Sequence, residues 1–188
     1  MLQERLKALR AEMEKRGITV YVVPTADFHE SEYVGDHFKA RKFITGFTGS
    51  AGTAVITLDE AGLWTDGRYF VQAENQLKDS TVTLYRMGEE GVPTVDEFVK
   101  DRLKEGGCLG FDGRVVNGTW GGKLEKIAAE KNVSMHVTED LIDLIWEDRP
   151  ALSKQPLFIL EEKYSGKSTA DKIADLRKAM KENGADVH

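Results

Sequence analysis

The chain has 188 residues, 40% of them apolar and 31% charged, a balance that excludes a disordered or low-complexity protein and fits one domain plus a short extension. A formal net charge of −6 lacks the clustered Lys and Arg on which phosphate binding rests, so nucleic acid is excluded as the main partner. The single cysteine, Cys108, rules out an intrachain disulfide and points to a reducing, cytoplasmic setting, and no run approaches the roughly 18 apolar residues of a membrane helix.

The opening residues mix charge with apolar side chains, without the uninterrupted apolar core that a signal peptide needs. Leu2, Leu6, Leu9 and Met13 fall at helical spacing and predict an amphipathic helix over residues 2–16, stopped by Gly17. Residues 18–23 are an apolar, β-branched run, a buried strand ended by Pro24. Residues 51–57 and 62–65 predict two more strands, with hairpin chemistry at 59–62. Asp66 is expected to cap a helix over residues 67–77, with Phe70, Ala73 and Leu77 on its core face. A strand over 81–85 follows. Thr94 and Glu97 have the spacing of a capping box, opening a helix that buries Val95, Phe98, Val99 and Leu103. Residues 108–111 predict a short strand, Trp120, Leu124, Ile127 and Ala128 a helix face, and residues 133–137 a last strand. This alternation implies an α/β fold, a three-layer α/β/α sandwich around a mixed β-sheet.

From 149 to 167 the periodicity is lost. Residues 173–188 then repeat the pattern of residues 6–21: Leu9, Arg10, Met13, Gly17 and Val20 recur as Leu176, Arg177, Met180, Gly184 and Val187. The order is again amphipathic helix, glycine, start of a strand. The reading is an α/β domain over 1–148, a linker over 149–167, and at 168–188 the first helix and strand start of a truncated second, related domain.

Residues 24–50 make a long segment for a loop in a compact domain, and such loops carry function or hide short structure. It holds Asp27, His29, Glu30, Glu32, Asp36, His37, Lys39, Arg41 and Lys42. The spacing of Asp27, His29 and Glu32 matches no metal-ligand pattern such as His-Glu-x-x-His. A triad of Ser31 or Ser50 with His29 and Asp27 lacks a Gly-x-Ser-x-Gly elbow. The glycines Gly46, Gly49 and Gly52 precede a strand rather than open a helix, so tight turning explains them better than a phosphate cradle does. Arg68 and Tyr69 follow Asp66 where a strand hands over to a helix, a place where a guanidinium can grip a carboxylate.

Four segments stand in the order and spacing of one family: Asp27 to Tyr33; Arg41 to Ala54, with its Gly-Phe-Thr-Gly-Ser-Ala-Gly core; Trp64-Thr-Asp-Gly-Arg-Tyr-Phe70; and Leu144-Ile-Trp-Glu-Asp-Arg-Pro150. Across essentially its whole length the chain resembles the N-terminal domain of the cytosolic-type, three-domain Xaa-Pro aminopeptidases of the creatinase/prolidase superfamily. The resemblance implies two related α/β domains followed by a pita-bread catalytic domain. That catalytic domain holds two divalent metal ions, usually manganese, in a set of two Asp, one His and two Glu, and the enzyme removes an N-terminal residue preceding proline. None of those ligands carries over, since the matching segment is missing and His29, His37, His136 and His188 fit no ligand motif. The chain is therefore expected to hold no catalytic residue, metal or cofactor of its own. The implied role is accessory: contact with the protein's own C-terminal domains and with a second subunit in a homodimer, and a wall limiting the access of proline-containing peptides to the active site. Asp27, His29, Glu32, Tyr33, Arg41, Arg68 and Tyr69 are the candidates for substrate access or interface. The alternatives are a non-catalytic, peptidase-like protein-binding module and a self-contained hydrolase using the loop from Asp27 to His37.

Overall fold

Every strand but one runs the same way. In the computed structural model, which describes residues 2–187, a six-stranded sheet has the order β4-β3-β2-β1-β5-β6, with β1 Val20–Pro24, β2 Thr53–Thr57, β3 Ala61–Thr65, β4 Thr83–Arg86, β5 Cys108–Phe111 and β6 Ser134–His136. Only β2 is reversed: it pairs antiparallel with β1 and β3, while β3–β4, β1–β5 and β5–β6 are parallel. The carboxyl ends of five strands and the start of β2 therefore share one edge.

Strand alternation sorts the side chains into two cores. Tyr21, Val23, Ala54, Ile56, Leu63 and Cys108 point to one face, where Leu6, Leu9 and Met13 of α1 (Leu2–Lys15), Phe43 and Ile44 of α2 (Ala40–Thr45), and Ala73 and Leu77 of α3 (Phe70–Leu77) cover them. Val20, Val22, Val55, Trp64, Leu109 and Phe111 point to the other, beneath Phe98 and Val99 of α4 (Val95–Arg102) and Leu124 of α5 (Gly118–Glu130). Leu9 and Met13 are wholly buried, and each such side chain contributes on the order of 1.5–3 kcal/mol. The mixed α/β sandwich anticipated from the sequence is the fold observed.

Local chemistry sets the element ends. Gly17 takes the left-handed conformation at φ +66° and returns the chain to the sheet. The Thr94–Glu97 capping box forms: the hydroxyl accepts from Glu97 N and the Glu97 carboxylate accepts from Thr94 N at 2.8 Å. Arg10 donates to the carbonyls of Thr57 and Glu60, fastening α1 to the β2–β3 hairpin.

Two expectations are corrected. The helix expected from residue 67 begins at Phe70, because Asp66 closes a turn instead of capping a helix: its side chain accepts from Arg68 N at 3.1 Å and its carbonyl from Tyr69 N at 2.9 Å. The strand expected from 51 starts at Thr53, since the two preceding residues still belong to the glycine turn. The long segment after Pro24 does hide short structure, as its length allowed: α2, followed by left-handed Gly46 at φ +77°.

Residues to Leu152 form one unit and Ser153 onward a second. The second holds a single helical turn, α6 (Glu162–Ser165), inside the expected connector, and α7 (Thr169–Glu182), capped by the Ser168 hydroxyl accepting from Asp171 N at 3.1 Å. The strand expected to open near Val187 reaches His188, which lies outside the described residues.

Candidate functional site

The shared strand edge carries a braced loop, residues 46–52, flanked by a cleft of about 370 Å³ whose walls include Thr25, Glu32, Tyr33, Lys42 and Ser50. Arg41 supports the loop from beneath. It is 4% exposed, and its guanidinium donates to Thr25 Oγ1 at 2.9 Å, to the Phe47 carbonyl at 2.7 Å and to the Gly49 carbonyl. Burial pulls this guanidinium down to about 10, still far above neutrality, so it stays charged.

Helix α3 holds the loop from the side. Gln76 Oε1 accepts from Thr48 N at 2.9 Å, and Gln72 and Gln76 both donate to Thr48 Oγ1. Ser50 Oγ and Tyr69 Oη lie 2.6 Å apart. Gly49 is required by close approach: a Cβ there would sit 2.3 Å from Phe47 Cζ and 2.8 Å from Tyr69 Cδ1. At Gly52 a Cβ would lie 2.8 Å from the Trp64 carbonyl.

Beside Tyr69, Arg68 grips Asp66 in a two-point pair, Nε–Oδ1 at 2.8 Å and Nη2–Oδ2 at 2.9 Å. The Asp66 carboxylate holds the Arg68 guanidinium above its ordinary value, with smaller contributions from Tyr69 and Glu32, and Arg68 in turn holds the Asp66 carboxyl below its own. The Arg68 side chain is 70% exposed, so the pair presents a fixed dipole to solvent rather than a buried lock.

The seven residues singled out from the sequence divide three ways. Glu32, Tyr33, Arg68 and Tyr69 gather around the braced loop, with Tyr33 76% exposed. Arg41 lies under it as an internal brace, its charge spent on carbonyls and a hydroxyl. Asp27 and His29 belong to a separate turn, in which Asp27 Oδ1 accepts from His29 N and Ser31 N, each at 2.9 Å. These bonds, Ser31's first, hold the Asp27 carboxyl below the usual range. That turn is tethered by Glu30 to Asn117 and by Arg114 stacking over Phe28, away from the Ser50–Tyr69 contact.

Sequence reasoning missed Thr48, Gln72 and Gln76, and weighed Ser50 only as a nucleophile, not as the partner of Tyr69. The i, i+4 spacing of the two glutamines marks them as neighbours on one helix face, but nothing local shows that Thr48 lies opposite.

The histidines among the described residues do not converge. His37 Nδ1 lies 2.8 Å from the Pro150 carbonyl and His136 Nε2 lies 3.3 Å from Glu139. Among the described residues no three His, Cys, Asp or Glu side chains gather in a way that could hold a metal ion. No helix among them is long and apolar enough to cross a membrane.

Residues 5–145 match the creatinase/prolidase N-terminal domain family, and residues 148–188 match a second family of the same description. The chain is 44% identical over 185 residues to a protein named "Probable Xaa-Pro aminopeptidase P" from Sordaria macrospora, and 39% identical over 189 residues to Aminopeptidase P2 of Arabidopsis thaliana. It covers 97% and 98% of itself in these matches but only 30% and 26% of those relatives. The crystal structure of the X-prolyl aminopeptidase of Caenorhabditis elegans, a cytosolic enzyme with a di-nuclear active site, superimposes with a TM-score of 0.83 at 33% identity, over 99% of this chain and 32% of that one. The N-terminal domain of the cytoplasmic peptidase PepQ from Mycobacterium tuberculosis shares the fold, at 24% identity and a TM-score of 0.53, over 76% of this chain and 98% of that one. With three quarters of its length matched, the chain belongs to the creatinase/prolidase N-terminal domain family.

Proposed function

We propose that the chain is the N-terminal, accessory part of a metal-dependent Xaa-Pro aminopeptidase of the cytoplasm, which removes the residue preceding proline at a peptide's N-terminus. The observation that carries this reading is the 44% identity spanning 97% of the chain but 30% of an Xaa-Pro aminopeptidase relative. Catalysis, with two divalent ions such as manganese, belongs on this reading to the remaining two thirds of the parent. The N-terminal part supplies contacts to those domains and to a second subunit, and a wall beside the peptide's path. A wall has to be rigid and polar at its rim. The loop braced by Arg41, Gln72 and Gln76, with Arg68 and Tyr69 beside it, meets both requirements. The turn of Asp27 and His29 serves the interface.

We further propose that residues 1–148 form the domain, 149–167 the linker, and 168–188 the opening of a second, related domain. The ends of α1 and α7 support this. At α1, Arg16 N and Ile18 N donate to the Met13 carbonyl and Gly17 N to Glu14; at α7, Asn183 N and Ala185 N donate to Met180 and Gly184 N to Lys181. Gly17 and Gly184 have φ of +66° and +65°.

The test is turnover of an Arg-Pro-Pro-type peptide with manganese. The chain alone is expected to give none above background. In the full-length enzyme, Arg68→Ala is expected to raise KM several-fold with bound metal unchanged. Turnover by this chain alone at the full-length rate overturns the reading.

A further inference from the structure

The carboxyl ends of β1 and β5 mark the point where the strand order reverses: the chain runs outward through β2, β3 and β4, then crosses back to lie on the other side of β1. Open α/β sheets take ligands in the crevice at such a point. Here most of the crevice is filled by the protein's own chain. Leu141 and Ile142 are buried in it, and Arg149 locks the turn by donating to Asp140 Oδ2 at 2.6 Å and to the His37 carbonyl at 2.9 Å.

The closure leaves one polar account open. Tyr21, 1% exposed, accepts a hydrogen bond from Leu141 N at 2.9 Å. Its own O–H proton has no acceptor among the described residues, although a buried hydroxyl ordinarily finds one. Burial, and after it the Asp140 charge, push the Tyr21 hydroxyl up, so it keeps that proton. The ring cannot swing aside freely: a Cβ on Gly110 would lie 2.8 Å from Tyr21 Cδ2, so the sheet already touches it. Next to Tyr21 is a small pocket of about 20 Å³, partly open to solvent and walled also by Asp112, Asp140 and Arg149. A water needs on the order of 10–15 Å³ of such space and two to four polar partners.

We propose that this pocket is a binding site for one ordered water, which accepts the Tyr21 O–H proton and donates to the carboxylates of Asp140 and Asp112, joining β1, β5 and the 140–149 turn. Each carboxylate has acceptor capacity to spare: Asp140 receives Ile142 N and Arg149, and Asp112 receives Arg114 through its amide and guanidinium. Charge selects water over a cation, because Asp140 is already paired with Arg149 and Asp112 with Arg114. The consequence is a division of labour along the edge. The usual ligand crevice is filled down to room for about one water, which leaves the larger cleft beside the glycine loop as the face with space for a ligand.

The test is a crystal structure of this chain at about 1.5 Å, with oxygen-17 relaxation dispersion to count long-lived waters in the wild type and Tyr21→Phe. Expected are one isolated density peak about 2.6–3.2 Å from Tyr21 Oη and from an Asp oxygen, and one long-lived water fewer in the variant. A Tyr21 hydroxyl bonded directly to Asp112 or Asp140 with no intervening peak overturns the proposal. So does a peak with five or more oxygens at about 2.3–2.6 Å, the signature of a cation, or an unchanged water count. The wild-type density decides the matter even where the variant folds poorly.

Discussion

Arg41 and Arg68 lie on either side of one loop and do opposite things. Arg41 spends its donors on Thr25, Phe47 and Gly49 out of contact with water, whereas Arg68 is exposed and holds a carboxylate two residues away. Arg41→Met leaves two carbonyls short of donors and is expected to cost about 2–4 kcal/mol in urea unfolding. Arg68→Ala is expected to leave the urea midpoint essentially unchanged, because an exposed pair is screened by solvent. Equal losses would show that the exposed pair is also a structural brace. Sequence alone treated the two arginines alike, since burial is not written in residue type.

A second residue-scale effect is acid sensitivity. Arg16 first, then His136, hold the Glu139 carboxyl below its ordinary value, and Lys15 and Arg16 do the same for Glu12. A carboxylate depressed in the folded state adds stability above its unfolded value and loses it as pH falls through the folded one. The melting temperature is therefore expected to fall from about pH 5 to pH 3, more gently in Glu139→Gln. An unaltered slope in that variant would remove Glu139 from the account.

At the scale of elements, the glycine loop is the part most tightly specified by its neighbours. Gly49→Ala forces a methyl group against the Phe47 and Tyr69 rings. The expected cost is about 1–3 kcal/mol, with weakened protection of the Thr48 amide in hydrogen exchange as the loop leaves Gln76. Normal Thr48 protection with unchanged stability would mean that the rings yield freely. The elements themselves were legible wherever the signal was local: the α1 stripe, the Thr94–Glu97 box and the strand at Cys108–Phe111 all formed where the sequence placed them. The start of α3 was misread because Asp66 has two local uses, helix cap or turn, and the choice depends on the Arg68 guanidinium folding back. Helix α2 was hidden inside a charged segment because only one short face of it is apolar.

For the whole molecule, both cores are built from residues between Leu6 and Ile142. A protein ending at Leu152 is expected to unfold cooperatively within about 3 °C of the 188-residue chain; loss of cooperativity would show that the following residues contribute to that core. The second unit contrasts with the first. Ile173 and Leu176 are 43% and 41% exposed on α7, whereas Leu6 and Leu9, at the matching places of α1, are buried. The proposed second domain accounts for that stripe as the counterpart of one that covers a sheet.

Hydrophobic period, turn residues and four ordered motifs were enough to determine the α/β class and the family, because each is a property of neighbours in the chain. The braced loop, the filled crevice and the pairing of Thr48 with Gln76 or Tyr21 with Leu141 were decided by the tertiary structure alone. Those contacts join residues 28 and 120 positions apart, and a partner at that distance is chosen by the packing of the sheet rather than by any adjacent residue.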